Sequence, residues 1–160
     1  MKPGSACTLA DGFSFREKLY AQFSFLAMGL TGAVGIGLVD WRWVLPYFLI
    51  YLYGILGIVM RHLTCPRCPH LYVYGDCLQL SPKIAMWLVK ERKTTPFSPI
   101  EKSLFYAVFI LIPAFPIYWL VESPVLLGAF LVTVAMWYSG QFLYFCRRCR
   151  VKECPFNRAT

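Results

Sequence analysis

At 160 residues, with 58% hydrophobic and only 15% charged side chains, the chain carries too little polar surface to cover a soluble globule, and an integral membrane protein is the leading class. The mean hydropathy of +0.54 agrees. The net charge of +8 is explained by basic segments flanking apolar stretches, so it points to anionic headgroups rather than nucleic acid.

Residues 1–12 show no periodicity and are predicted to form a mobile arm. Ser14 and Glu17 then have the S-x-x-E spacing of a capping box, in which each side chain takes up a free backbone N–H at a helix start. The first apolar stretch, Leu19–Val39, follows. It begins too late, runs too long and lacks a small-residue cleavage site, so it does not read as a signal peptide. Gly29, Ala33 and Gly37 fall four residues apart, which suits close helix packing in lipid. The second stretch, Val44–Met60, contains Gly54 and Gly57. Its 17 residues would rise about 26 Å, close to the roughly 30 Å hydrocarbon core. After a polar loop, Ser81-Pro82 starts a short amphipathic helix predicted to lie on the inner leaflet, its apolar residues mixed with Lys83, Lys90, Arg92 and Lys93. Ser98 and Glu101 form a second capping box, with Pro99 at the first helical position. The third stretch, Leu104–Val121, should be kinked by Pro113 and Pro116. The fourth, Val125–Phe145, carries Ser139 and Gln141, expected to hydrogen-bond between helices. Trp41, Trp43 and Trp119 suit a headgroup belt.

These elements form two tandem copies. Phe13-Ser14-x-x-Glu17-Lys18 leads to Cys65-Pro66-Arg67-Cys68, and Phe97-Ser98-x-x-Glu101-Lys102 leads to Cys146-Arg147-Arg148-Cys149. The fold expected is therefore an all-α integral membrane protein. Its four transmembrane helices would form two hairpins about a pseudo-twofold axis, with cytoplasmic Cys-rich turns. The first hairpin spans 13–68 and the central loop 69–96. The second hairpin with its tail spans 97–160. All Lys and Arg except Arg42 lie near the N-terminus (Lys2, Arg16 and Lys18), between residues 61 and 103, or in the C-terminal tail. The positive-inside rule then puts both termini and the loop in the cytoplasm, in the inner (cytoplasmic) membrane.

Six of the seven cysteines fall in two clusters, Cys65, Cys68 and Cys77, and Cys146, Cys149 and Cys154. Paired C-x-x-C turns in a reducing compartment point to a metal centre. Two intervening residues allow a tight turn that aims both sulfurs, and often backbone N–H groups, at one place. His70 lies inside the first cluster, and Gly75 is placed to turn the chain back toward Cys77. Tyr72 and Tyr74 could pack over a centre. Arg67, Arg147 and Arg148 beside the sulfurs would favour thiolates and offset the charge of a cysteine-ligated cofactor; Arg150 adds to them. Zinc would take Cys65, Cys68, Cys146 and Cys149 as a tetrahedron. An iron–sulfur cluster also takes four cysteines, and Cys154-Pro155 tilts slightly toward it. His70, or Cys7 from the arm, could complete a second site. Haem is disfavoured: His70 comes one residue late for a c-type site, and His62 and His70 both lie at or beyond the membrane edge.

No phosphate loop, H-E-x-x-H or G-x-S-x-G occurs, and charge inside the apolar stretches is nearly absent, which disfavours ion transport. No catalytic residue is assigned. Three functions follow. The first is an electron-transfer or accessory subunit of a larger complex, docked to a protein partner at the cytoplasmic face and within reach of quinone. The second is a structural zinc platform. The third is a quinone-linked thiol–disulfide oxidoreductase, since four spans with paired cysteines resemble membrane enzymes of that kind. Those enzymes keep their cysteines on the oxidising face, whereas the charges here place them inside.

Overall fold

The computed structural model describes residues 12–89, 91–149 and 154–157. The N-terminal arm up to residue 11 with Cys7, and also Lys90 and Arg150, lie outside the described residues. Every regular element described is helical. Three helical stretches are long and apolar enough to cross a membrane: Phe15–Arg67, Pro99–Leu120 and Pro124–Arg148.

The first stretch joins two of the apolar segments because the turn between them is itself helical. Helix α1 (Phe15–Asp40) starts at the Ser14–Glu17 capping box, with both reciprocal bonds formed. It ends where Asp40 turns extended and its side chain accepts from the Arg42 N–H at 3.1 Å, opening a 3₁₀ turn over Trp41–Trp43. Helix α2 (Val44–Leu52) follows and widens into a π-helix over Tyr53–Thr64. A straight helix of 53 residues would run about 80 Å. Instead the chain folds back. The Tyr51 hydroxyl donates to the Phe25 carbonyl at 2.6 Å, and the two rings stack at 4.8 Å.

Short helices α3 (Pro69–Tyr72) and α4 (Pro82–Leu88) occupy the central loop. In α4, Ile84, Met86 and Trp87 are exposed while Ala85 is buried. Helix α5 (Pro99–Leu120) begins at the second capping box, Ser98–Glu101, and α6 (Pro124–Ser139) ends in another π-helical stretch, Gly140–Phe145.

Helix α1 sits centrally, packing on α6, α5 and α2. Its small side chains face inward: Ala21, Ser24, Gly32 and Gly35 are buried. Met28 and Ile36 are buried with them, while Leu19, Phe23, Leu26, Leu30, Val34 and Leu38 form an exposed stripe at helical spacing. Lipid removes the hydrophobic drive for helices to associate, so small residues serve close approach and large ones meet the acyl chains. The closest approaches occur at Gly32, over the Tyr47 ring, and at Gly35, over Leu120. The Gly29–Ala33–Gly37 line lies partly beside this seam: Gly29 meets Tyr51, and a Cβ on Gly37 would reach only Val44 at 3.2 Å.

Polar contacts inside the bundle differ from those expected. Ser139 bonds back to Met136 of its own helix, and Thr31 of α1 pairs with Thr133 of α6 at 3.0 Å. Helix α5 runs on through Pro113 and Pro116. Proline at 113 has no N–H for the carbonyl four residues earlier. That carbonyl, of Phe109, is taken instead by the Tyr138 hydroxyl from α6.

Candidate functional site

Both π-helical stretches lead directly into the cysteine turns. Tyr53–Thr64 is followed by a 3₁₀ turn over Cys65–Arg67, and Gly140–Phe145 by one over Cys146–Arg148. In each turn the second cysteine is extended, with φ/ψ of −80°/112° at Cys68 and −77°/134° at Cys149. π-Helical turns are rare and gather at functional sites, because the extra residue per turn re-aims whatever follows.

The two turns meet at one cavity of about 200 Å³. Cys65, Cys68, Cys77, Cys146, Cys149 and Cys154 all line it, with His70. Its remaining wall is largely aromatic, including Phe105, Phe109, Trp137, Phe145 and Phe156. No disulfide joins these six cysteines. The sulfurs ring the chamber without converging on a point: among the described residues, no three His, Cys, Asp or Glu side chains lie close enough to hold one ion.

Two sulfurs sit in backbone cradles. Cys68 accepts from the N–H groups of Leu71 and His70, and Cys154 from those of Phe156 and Asn157. Burial nevertheless pushes the Cys68 thiol up to about 11; the two N–H groups pull it back, and Cys149 and Cys77 raise it further. Burial also raises Cys154. His70 is buried and packs against Phe13 with ring centroids 4.8 Å apart. Gly75 has φ +62°, the left-handed backbone that lets the loop return to Cys77. Tyr74 is exposed, and Tyr72 lies under the Arg92 guanidinium at 5.3 Å.

The arginines are engaged across the molecule. Arg67 forks onto Glu101 at 2.9 and 3.1 Å, donates to the Thr95 and Leu63 carbonyls, and covers the Phe97 ring at 4.4 Å. Arg148 reaches Glu17 at 2.6 Å, and Tyr144 donates to the same carboxylate at 2.7 Å. Arg147 is exposed. Each cysteine turn is thus pinned by its arginine to the capping-box glutamate of the other segment. Sequence reasoning gave these glutamates a capping role only. The signal available was that Phe-Ser-x-x-Glu-Lys and C-x-R-C each place a charge at a fixed position twice.

Asp76 was also missed. Its carboxylate accepts from the Phe13 N–H at 2.7 Å and the Cys77 N–H at 2.9 Å, and pairs with Lys18. These donors hold its pKa below the usual carboxylate range, against the opposing effect of burial. Asp76 therefore ties the start of α1 to the loop carrying Cys77. The tail is held by Asn157, whose amide donates to the Cys149 carbonyl at 3.2 Å, and by Phe156, packed edge-on against Phe105, Phe109 and Phe142.

No family model matches the chain, and no match is found among curated proteins or solved structures.

Proposed function

We propose that the protein is a four-span membrane anchor, built from two tandem hairpins, that holds a cysteine-ligated metal centre at its cytoplasmic end. The observation that carries this reading is the chamber itself: six cysteines from two separated clusters face one cavity. The reciprocal pairs Arg67–Glu101 and Arg148–Glu17 support the repeat, since they join equivalent positions in opposite directions.

The donor set suits a thiolate-bound group. Soft sulfur ligands select zinc or iron–sulfur clusters, and paired N–H groups at Cys68 and Cys154 would stabilise bound thiolate. Size separates the two candidates. A single zinc with Zn–S bonds of about 2.3 Å needs its sulfurs drawn to a point, whereas among the described residues no three ligands share one. A ring of sulfurs around about 200 Å³ suits a multi-atom iron–sulfur cluster better. Cys65, Cys68, Cys146 and Cys149 would be the primary ligands, with Cys77, Cys154 and His70 in reserve.

When bound, such a cluster supplies one-electron transfer. The chain's own residues bury it beneath aromatic side chains and fix its two cysteine turns through Arg67 and Arg148. Electron transfer as a subunit of a larger cytoplasmic-face complex is the role this favours, and a structural zinc platform is the alternative. A thiol–disulfide role is disfavoured, because burial pushes the Cys68 thiol up to about 11 and exchange needs the thiolate. Anaerobic purification with metal analysis and a visible spectrum tests the reading. Broad sulfur-to-iron absorbance supports it, colourless zinc-loaded protein selects the platform, and metal-free protein removes both.

A further inference from the structure

A separate crevice of about 390 Å³ lies between the start of α1 and the π-helical stretch that follows α6. Along α1, Arg16 lines it first and Tyr20 one turn later; along the other wall, Leu143 gives way to Gly140 and Ser139 toward the middle of the span. Tyr20 leans over Gly140, where a Cβ would stand 2.4 Å from the ring, and its hydroxyl donates to the Met136 carbonyl at 2.7 Å. Arg16 comes three residues before the apolar stretch that begins at Leu19, about 4.5 Å of helical rise. The crevice therefore sits where hydrocarbon gives way to headgroups, the level that tyrosine and arginine favour. Leu143, on its rim, is 58% exposed.

Its charges do not cancel. Glu17 also lines the crevice, but its carboxylate is taken by Arg148 at 2.6 Å, by the Tyr144 hydroxyl at 2.7 Å and by the Ser14 N–H at 2.6 Å. The neighbouring Asp76 pairs with Lys18. Arg16 is exposed, and no carboxylate among the described residues pairs with it. The capping box does not call for this cation either. At the matching position of the other Phe-Ser-x-x-Glu-Lys segment stands Ile100, which is 81% exposed. Leu104 stands there in place of Tyr20, and aligning the cysteine pairs sets the buried Val59 at the place of Gly140. The residues that recur build the helix starts and cysteine turns; the crevice is made by residues that only one segment has.

We propose that this crevice seats one anionic phospholipid, its phosphate on the Arg16 guanidinium and an acyl chain running past Leu143 and Gly140 into the hydrocarbon. A guanidinium forks onto phosphate oxygens with two parallel bonds, and the volume lies within the roughly 300–1,000 Å³ of ordinary ligand sites. The inference rests on the helices crossing a membrane and not on what the sulfurs hold.

The test is native mass spectrometry of the full chain released from dodecyl maltoside micelles, with metal analysis of the same samples. The chain is titrated with dioleoylphosphatidylglycerol and, separately, with zwitterionic dioleoylphosphatidylcholine. One phosphatidylglycerol per chain should bind, about tenfold tighter than phosphatidylcholine, and inorganic phosphate should not displace it. Arg16→Gln should weaken it about tenfold. Lys102→Gln removes an exposed cation at the other helix start, outside the crevice, and should change nothing, because the micelle has no anionic surface. Ser139→Phe fills the crevice from the other wall and should weaken binding too, which keeps the test decisive if Arg16→Gln fails to fold. Equal affinity for the two lipids overturns the inference, as does displacement by phosphate or an equal loss in Lys102→Gln. So does unchanged binding in folded Arg16→Gln or, failing that variant, in Ser139→Phe. Metal-free protein that binds phosphatidylglycerol in this way would refute the metal centre and leave the lipid seat standing. Metal-loaded protein that does not bind it would do the reverse.

Discussion

Replacing Arg67 with methionine removes the more deeply set of the two clasps between the cysteine turns and the helix starts. The Arg67 side chain is 5% exposed and Glu101 21%, against 28% for Arg148 and 15% for Glu17. Arg67 makes two bonds to the carboxylate, two to backbone carbonyls and one cation–π contact. Deleting one partner of a buried pair costs about 3–5 kcal/mol, chiefly because the other charge is stranded. Glu101 would not be stranded, since Lys93 Nζ stays 3.2 Å away and the Ser98 N–H 2.9 Å away. The loss therefore falls to about 2–3 kcal/mol, the share of charged hydrogen bonds and of the uncapped Thr95 and Leu63 carbonyls. Arg148→Met breaks a more exposed contact and should cost about 1 kcal/mol. Unfolding in mixed micelles, followed by circular dichroism, gives both values. Arg148→Met proving as costly as Arg67→Met would refute the burial argument. Zero coupling between Arg67 and Glu101 in a double-mutant cycle would refute the clasp itself.

Other consequences follow from the same packing. Cys68→Ser and Cys149→Ser should each abolish the same bound metal; half retained in each variant would mean two independent sites. Gly35→Val should lower stability by about 1–3 kcal/mol through overpacking against Leu120. Gly128→Ala, where a Cβ meets nothing within 4 Å, should be neutral or stabilising by up to about 1 kcal/mol, and thermal unfolding compares the two. Tyr138→Phe leaves the Phe109 carbonyl without a donor opposite Pro113 and should cost about 1 kcal/mol in the same assay.

Local signals were legible in the sequence wherever chemistry acts over a few residues. Ser14–Glu17 and Ser98–Glu101 read as capping boxes and form them. Gly75 read as a turn and adopts positive φ. Features that depend on a distant partner were only half visible. Pro113 announces an unsatisfied carbonyl at Phe109, but nothing local names Tyr138 as its donor. Glu17 and Glu101 had an adequate local role, which hid their longer-range one with Arg148 and Arg67. The π-helical stretches have no spacing rule to betray them. They arise where tertiary packing makes an extra residue per turn tolerable. The C-x-x-C pairs marked the sulfurs of the chamber, but not its aromatic wall, because Phe25, Phe109 and Trp137 read equally well as lipid-facing side chains.

The central claim is that the sulfurs of both segments serve one bound centre. Metal and sulfide analysis of anaerobically purified wild type, with its visible spectrum, tests it most directly. One iron–sulfur centre per chain, absent from Cys68→Ser and from Cys149→Ser alike, is the predicted result. Metal-free protein whose thiols all react with a maleimide after unfolding, however much iron or zinc was supplied during expression, would contradict it.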